Sequence, residues 1–425
     1  MRRKKLILSI CFLLAIVLMI SCTSKTPAPE PKPGPDTQPG GDVGEVEIPA
    51  PEDMIVDPKE WEEQFPQIYA SYMKTSTMGD DTTEDSELGG SHPTDYLEKY
   101  PNIAILYEGI GFGKEYYEAR GHFYALEDVS NISRPKGGAS CLACKTAEYE
   151  KLYAEHGDQL ASLDFQKTVQ DVEFGITCYT CHRNTPGEGI QTTTLHFNDA
   201  ADELNLQKTP GNLACSQCHV EYYFDKDDNS VILPWANGTE IAEIEEYYDE
   251  IEFSDWVHPR TGTPLIKVQH PETEMYTGSL HASMNVSCAD CHMPRVTENE
   301  EEYKSHWVTS PLKTPNESCG RCHSDEIDNI VARVEAIQTE VEKMEVEVSD
   351  MLVKLIADFG QAIEDQKLSD EKIDQLRGLH RKAQYRWDFV FVENSTGFHN
   401  QAKATEALNE AKTYAQEALD ILEGL

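Results

Sequence analysis

Spare cysteine is the chief thing this chain lacks. Of its 12 cysteines, ten fall in Cys-x-x-Cys pairs and only Cys11 and Cys22 stand outside them. A structural disulfide framework is thereby excluded, and covalent cross-linking must come through the paired thiols. Basic charge is scarce too: 36 Lys and Arg against 76 Asp and Glu leave a formal charge of −40. A surface this acidic argues against direct docking on anionic lipid, and no nucleic-acid partner is expected. Long apolar runs are also missing. The one candidate, Leu6 to Ile20, is shorter than the roughly 20 residues that a membrane-spanning helix prefers. Behind the positive start Met1-Arg-Arg-Lys-Lys5 it reads instead as an export signal over residues 1–21.

Met19-Ile20-Ser21-Cys22 resembles a bacterial lipoprotein processing site, with a small residue before the cysteine that is cleaved free and acylated. Plain cleavage and a retained anchor are the alternatives. Residues 22–53 are rich in Pro and Gly, which favours an extended tether without a core. The expected location is therefore the periplasm or the outer face of the cytoplasmic membrane, held by lipid at Cys22.

What the chain does have lies between Cys141 and His323. Four stretches read Cys-x-x-Cys-His: Cys178, Cys181 and His182; Cys215, Cys218 and His219; Cys288, Cys291 and His292; Cys319, Cys322 and His323. In such a motif the sulfurs form thioethers to a haem's vinyl groups, and the histidine sits beneath the iron as axial ligand. Zinc knuckles would not place a histidine after every second cysteine. The fifth motif, Cys141-Leu-Ala-Cys144-Lys145, keeps the spacing but offers an amine in place of the imidazole. An iron held by lysine differs electronically from its neighbours, so this haem is the one expected to do chemistry while the others carry electrons. Spacing and flanking sequence are irregular, so the motifs are not an internal repeat.

Beyond His323 the character changes. Ile327, Ile330, Val334, Ile337, Val341, Met344, Val348, Met351 and Leu355 alternate spacings of three and four, which predicts one long helix. A second helix carries Leu376, Leu379, Trp387 and Val390, and a third Leu408, Ala411, Ala415, Leu419 and Leu422. The apolar seam could close an intrachain hairpin or a dimer, and its length favours a homodimer. The expected architecture is a mainly α multihaem cytochrome. A loop-rich, haem-packed region with little β, over 54–326, precedes a long-helix region over 327–425.

Arg120-Gly-His122, the run from Cys215 through His219-Val-Glu221-Tyr222-Tyr-Phe, Lys267-Val-Gln269-His270-Pro and Trp387-Asp388 follow one another in an order that resembles pentahaem, ammonia-forming cytochrome c nitrite reductase. The likeness covers roughly Phe65 to Ala411. It implies five covalently bound haem c, with the Lys145 haem catalytic and its far side open to substrate. It further implies Arg134, Tyr222 and His270 as active-site residues, with His270 protonated. His122, His281, His306 and His399 become the second axial ligands of the histidine haems. Glu221, Gln269 and the backbone carbonyls of Tyr222 and Lys267 become ligands to calcium, the all-oxygen set that a hard cation needs. His92, His156, His196, His258 and His380 remain unassigned and are expected to be ordinary polar residues.

By this resemblance the reaction is six-electron reduction of nitrite to ammonium, and a membrane tetrahaem quinol dehydrogenase is the electron donor. Two other readings stay open: an electron-transfer cytochrome without a substrate of its own, and a reductase of hydroxylamine or sulfite.

Overall fold

The computed structural model describes residues 48–76, 94–118, 120–134, 137–203, 209–324 and 326–425. The export signal, Cys11, Cys22, the tether up to residue 47 and His92 lie outside the described residues. No helix among the described residues is long and apolar enough to cross a membrane.

From Pro51 to His323 the chain forms short helices separated by loops, as the expected wrapping around cofactors requires. The β structure described is three two-stranded antiparallel ladders. Tyr223–Phe224 pairs with Val231–Ile232, Trp256–Val257 with Pro264–Leu265, and Arg295–Glu298 with Glu301–Lys304. The last is closed by Asn299 and Glu300, both at positive φ, as a two-residue hairpin turn demands.

Three long helices follow, Ile327–Glu364, Asp370–Phe391 and Gln401–Glu423. The first has 38 residues, which at about 1.5 Å each makes a rod of roughly 57 Å. The second starts on the Ser369 side chain and the third on that of Asn400, each accepting a backbone N–H of the first turn. Between them Gly397, at φ +81°, packs where a Cβ would come within 2.7 Å of Val341, so the turn requires glycine.

The apolar stripe of the first helix is closed inside the one chain. Val334, Val341, Val348, Leu352, Leu355 and Phe359 are buried, against an opposing face of Ala404, Ala407, Leu408, Ala411, Ala415 and Leu419. Alanines on the third helix let the backbones approach, so of the two closures expected for the seam the intrachain one is present, with Ile330, Ile337, Met344 and Met351 half-buried along it.

One apolar core joins these helices to the haem-motif region. It includes Ile103, Leu106, Tyr107, Trp235, Tyr248 and Val268 together with Leu352, Tyr385, Trp387 and Leu408. A smaller cluster, Ala139, Leu142, Leu152, Leu160 and Phe165, underlies the Cys141 motif.

Candidate haem and catalytic site

In a helical turn, residues three and four apart share a face, so a Cys-x-x-Cys-His turn presents both sulfurs and the imidazole to one side. Two of the motifs, Cys178–His182 and Cys288–His292, form single capped turns, with Thr177 and Thr180 or Ser287 and Asp290 closing reciprocal capping boxes. In the other two, the His219 and His323 N–H groups bond the carbonyls of Cys215 and Cys319 four residues back, both at 2.9 Å. The Lys145 motif differs. Its turn, Ala139–Cys144, is a 3₁₀-helix, and the Lys145 N–H bonds Leu142 only three residues back, at 3.0 Å. The tighter winding sets the amine at a different angle from the imidazoles. None of the ten motif cysteines is paired in a disulfide.

Two imidazoles bonded end-on to one ion at about 2 Å each place their ring centres roughly 6 Å apart. His122 and His219 have ring centres 6.1 Å apart, His182 and His306 6.3 Å, and His292 and His399 6.2 Å. For His281, burial lowers the pKa, and the imidazoles of His323 and His399 add to the shift.

The Nδ1 atoms are committed elsewhere. His182 Nδ1 meets Gly189 O at 2.6 Å, His292 Nδ1 meets Thr309 O at 3.0 Å, and His306 Nδ1 meets Lys304 O at 3.0 Å. His399 Nδ1 lies 2.5 Å from Glu393 Oε1, and His219 Nδ1 lies 3.4 Å from Glu272 Oε2. With Nδ1 of His182, His292 and His306 held by carbonyl oxygen, Nε2 is the nitrogen left there to bind a metal.

The three residues expected to face substrate are linked electrostatically to the Lys145 motif or to one another: Lys145 acts on His270, the Cys141 and Cys144 sulfurs on Tyr222, and Tyr222 on Arg134. His270 is buried with no partner at Nδ1 among the described residues. Burial, opposed by Glu272 and aided by the Lys145, His219 and Lys267 charges, pushes its pKa down to about 4. Burial by itself thus favours the neutral imidazole, whereas the resemblance implies a protonated His270. Tyr222 stays protonated, because burial and the sulfurs of Cys141 and Cys144 push its pKa well up. Arg134 carries the positive charge. Its guanidinium lies 3.8 Å from the centre of the Phe112 ring, and Nε and Nη1 have no partner among the described residues.

The oxygen cradle lies on the same segment as His270. Glu221 is fully buried, and its carboxylate accepts from Tyr248 Oη at 2.9 Å and from Gln269 N at 2.6 Å. The Gln269 side chain meets Lys267 O at 2.9 Å. Nearby stand Glu274, pushed up to about 8 by burial, and Asp255, pushed up to about 6 by burial. Lys267 Nζ is 3.0 Å from Asp388. Lys267 is the ammonium beside the buried Glu221 and Asp388, with Asp255 also acting on it. Carboxylate, amide and carbonyl oxygens gathered in this way fit a divalent hard cation.

A family description, cytochrome c552, matches residues 57–424. The chain belongs to the cytochrome c552 family. It is 35% identical over 406 residues to the cytochrome c nitrite reductase subunit NrfA of Nitratidesulfovibrio vulgaris, covering 84% of this chain and 76% of that protein. To cytochrome c-552 of Porphyromonas gingivalis it is 28% identical over 378 residues, covering 83% and 73%. The solved structure of cytochrome c nitrite reductase from Desulfovibrio desulfuricans, a study concerned with two calcium sites, superposes with a TM-score of 0.78. That match is 30% identical and covers 86% of this chain and 85% of the other.

Within this cytochrome c552 chain several site residues escaped the reading of the sequence. Glu272 and Glu274 flank His270 by two and four positions, yet only the fold shows one against His219 and the other against Glu221. Asp388 stood in a recognised Trp-Asp pair without a role. It accepts hydrogen bonds from Lys267 Nζ, Val268 N and Tyr107 Oη, joining the His270 segment to the second long helix. Phe112 and Tyr116 carried no signal at all, since an aromatic in a loop is ordinarily packing.

Proposed function

We propose that this member of the cytochrome c552 family reduces nitrite to ammonium, and that Lys145 marks the place where it does so. What supports this reading is the Lys145 turn, wound differently from the histidine motifs, with Lys145 acting on His270, its cysteines on Tyr222 and Tyr222 on Arg134. Five c-type haems, when bound through the ten cysteines, supply the redox chemistry: stepwise electrons and one iron position open to substrate. Lys145 and His182, His219, His292 and His323 would hold them from one side, and His122, His306, His399 and His281 would complete the histidine sites.

Nitrogen goes from +3 to −3, so six electrons and eight protons convert nitrite to ammonium and two waters. The chain's own groups handle the anion and the protons. Arg134 directs unspent N–H donors and a full positive charge at the nitrite oxygens. His270 passes a proton to the substrate oxygen, and the Tyr222 hydroxyl, kept protonated by burial, donates in the same space. Glu221, Gln269, Tyr222 O and Lys267 O would hold calcium, which adds positive potential beside an acidic protein's active site.

A pure electron carrier has no use for a lysine motif faced by unpartnered guanidinium donors, and that favours the enzyme. We place the protein outside the cytoplasmic membrane on a Cys22 lipid and a Pro-rich tether, drawing electrons from a membrane tetrahaem quinol dehydrogenase and assembling as a homodimer through the long-helix region.

The deciding experiment is anaerobic turnover with reduced viologen, counting ammonium formed per electron consumed. His270→Asn and Arg134→Ala should keep five haems by pyridine haemochrome assay while nitrite turnover falls about 10²-fold or more. Parental turnover in both variants would reject the site.

A further inference from the structure

Arg134 sits in a slot built by the segment Gly111–Tyr116, and that slot spends none of the donors at Nε and Nη1. The backbone is fixed first: Glu115 Oε2 accepts from Ser133 N at 2.7 Å and from the Ser133 hydroxyl. The stem comes next. A Cβ on Gly111 would lie 3.0 Å from Arg134 Cγ and 3.3 Å from its Cβ and Cδ, so the bare glycine makes the room that the stem fills. The guanidinium is then laid over Phe112 at 3.8 Å, with Tyr116 at 5.6 Å.

The two rings brace each other edge-to-face at 5.1 Å. From elsewhere in the fold the same rings meet Lys267 Nζ, at 5.1 and 5.8 Å, and that ammonium is anchored by Asp388. A ring face attracts a cation through its quadrupole without accepting its N–H groups along their axes. A carboxylate partner would also hold an arginine in place. It would do so by using the bidentate fork and cancelling the charge that an anionic substrate needs.

We infer that Phe112, backed by Tyr116 and Gly111, is a positioning residue that aims Arg134 at the nitrite oxygens while leaving its charge and its Nε and Nη1 donors unspent. This rests on the reading of Arg134 as a substrate-facing residue, and it adds the element that sets anion affinity.

The test uses the haem-loaded enzyme. Phe112→Leu keeps apolar bulk but removes the ring face. It should raise KM for nitrite about tenfold, since misplacing a positioned charge by an ångström carries effects of this order. Haem content and kcat should hold, as should KM for hydroxylamine, which is uncharged above neutral pH. Phe112→Tyr should keep the nitrite KM within about twofold, because it restores a ring face. In an Arg134→Ala background, Phe112→Leu should add nothing. If Phe112→Leu does not accumulate with five haems, Gly111→Ala, which leaves both rings in place and displaces only the stem, should shift nitrite KM in the same direction. An unchanged nitrite KM in Phe112→Leu or Gly111→Ala, beside a raised one in Arg134→Ala, overturns the slot and spares the site. Equal rises for nitrite and hydroxylamine also overturn it, as they indicate general disruption. Should Arg134→Ala itself leave nitrite kinetics unchanged, the site reading falls and the slot with it.

Discussion

A histidine in this chain declares its role by how many ring nitrogens its neighbours use. His182, His292 and His306 each give Nδ1 to a backbone carbonyl. His258 and His380, left unassigned from sequence, are satisfied at both nitrogens. His258 bonds Ile105 O at 3.0 Å and accepts from Arg260 N at 3.3 Å. His380 meets Thr263 Oγ1 and Gln384 Oε1, each at 3.0 Å. Burial, with the His258 imidazole beside it, pushes the His380 pKa down to about 3 from 6.5. A base with a depressed folded pKa binds fewer protons folded than unfolded. Its stabilising contribution is whole above pH 6.5 and is lost as pH falls from there toward 3, by up to about 1.4 kcal/mol per unit. His380→Gln should flatten the decline of stability between pH 6 and 4, followed by denaturant unfolding at each pH. An unaltered slope would mean that His380 is already charged in the fold.

The long helices act through their packing. Periodicity located all three helices, because alternating spacings of three and four survive any tertiary context that buries one face. It did not say which surface the stripe would meet, since a heptad seam on a neighbouring copy and one on the same chain read alike. The alanine face of the third helix and the Gly397 turn close much of it within the same chain. Val341→Glu and Val348→Glu each place an unpaired carboxylate in that closed seam. Each should cost about 3 kcal/mol or more, seen as a lowered melting temperature even at dilutions where light scattering reports a monomer. Destabilisation confined to concentrations that support a dimer would return the seam to an intermolecular role.

At the scale of the whole molecule, an acidic protein surrounds a site that has to attract an anion. The −40 formal charge is offset locally by Arg134, and in the proposed enzyme by calcium over Glu221. Removing calcium would leave the buried Glu221 and Asp388 against the single charge of Lys267, and burial already pushes the Glu221 pKa up. Chelation should therefore lower both the melting temperature and nitrite turnover, and added calcium should restore both. A chelated protein with parental melting and turnover would rule out a resident cation. Cys22→Ala should release the protein from membranes under mild salt, as loss of acyl chains at about 0.8 kcal/mol per buried methylene predicts.

The haem motifs, the lysine that breaks their pattern and the three helices were legible in the chain by itself, because each depends on spacing within one turn or one face. Covalent attachment needs two sulfurs and a ligand in five consecutive residues, and no tertiary contact can supply or remove that. The histidine pairings were open to sequence only through resemblance, for His399 and His292 lie more than a hundred residues apart. The aromatic slot around Arg134, the buried acids beside Glu221, the burial that lowers the His270 pKa and the intrachain packing of the helical seam were decided by the tertiary structure. Each is a matter of what burial brings against a side chain from a distant segment, and burial is set by the fold as a whole.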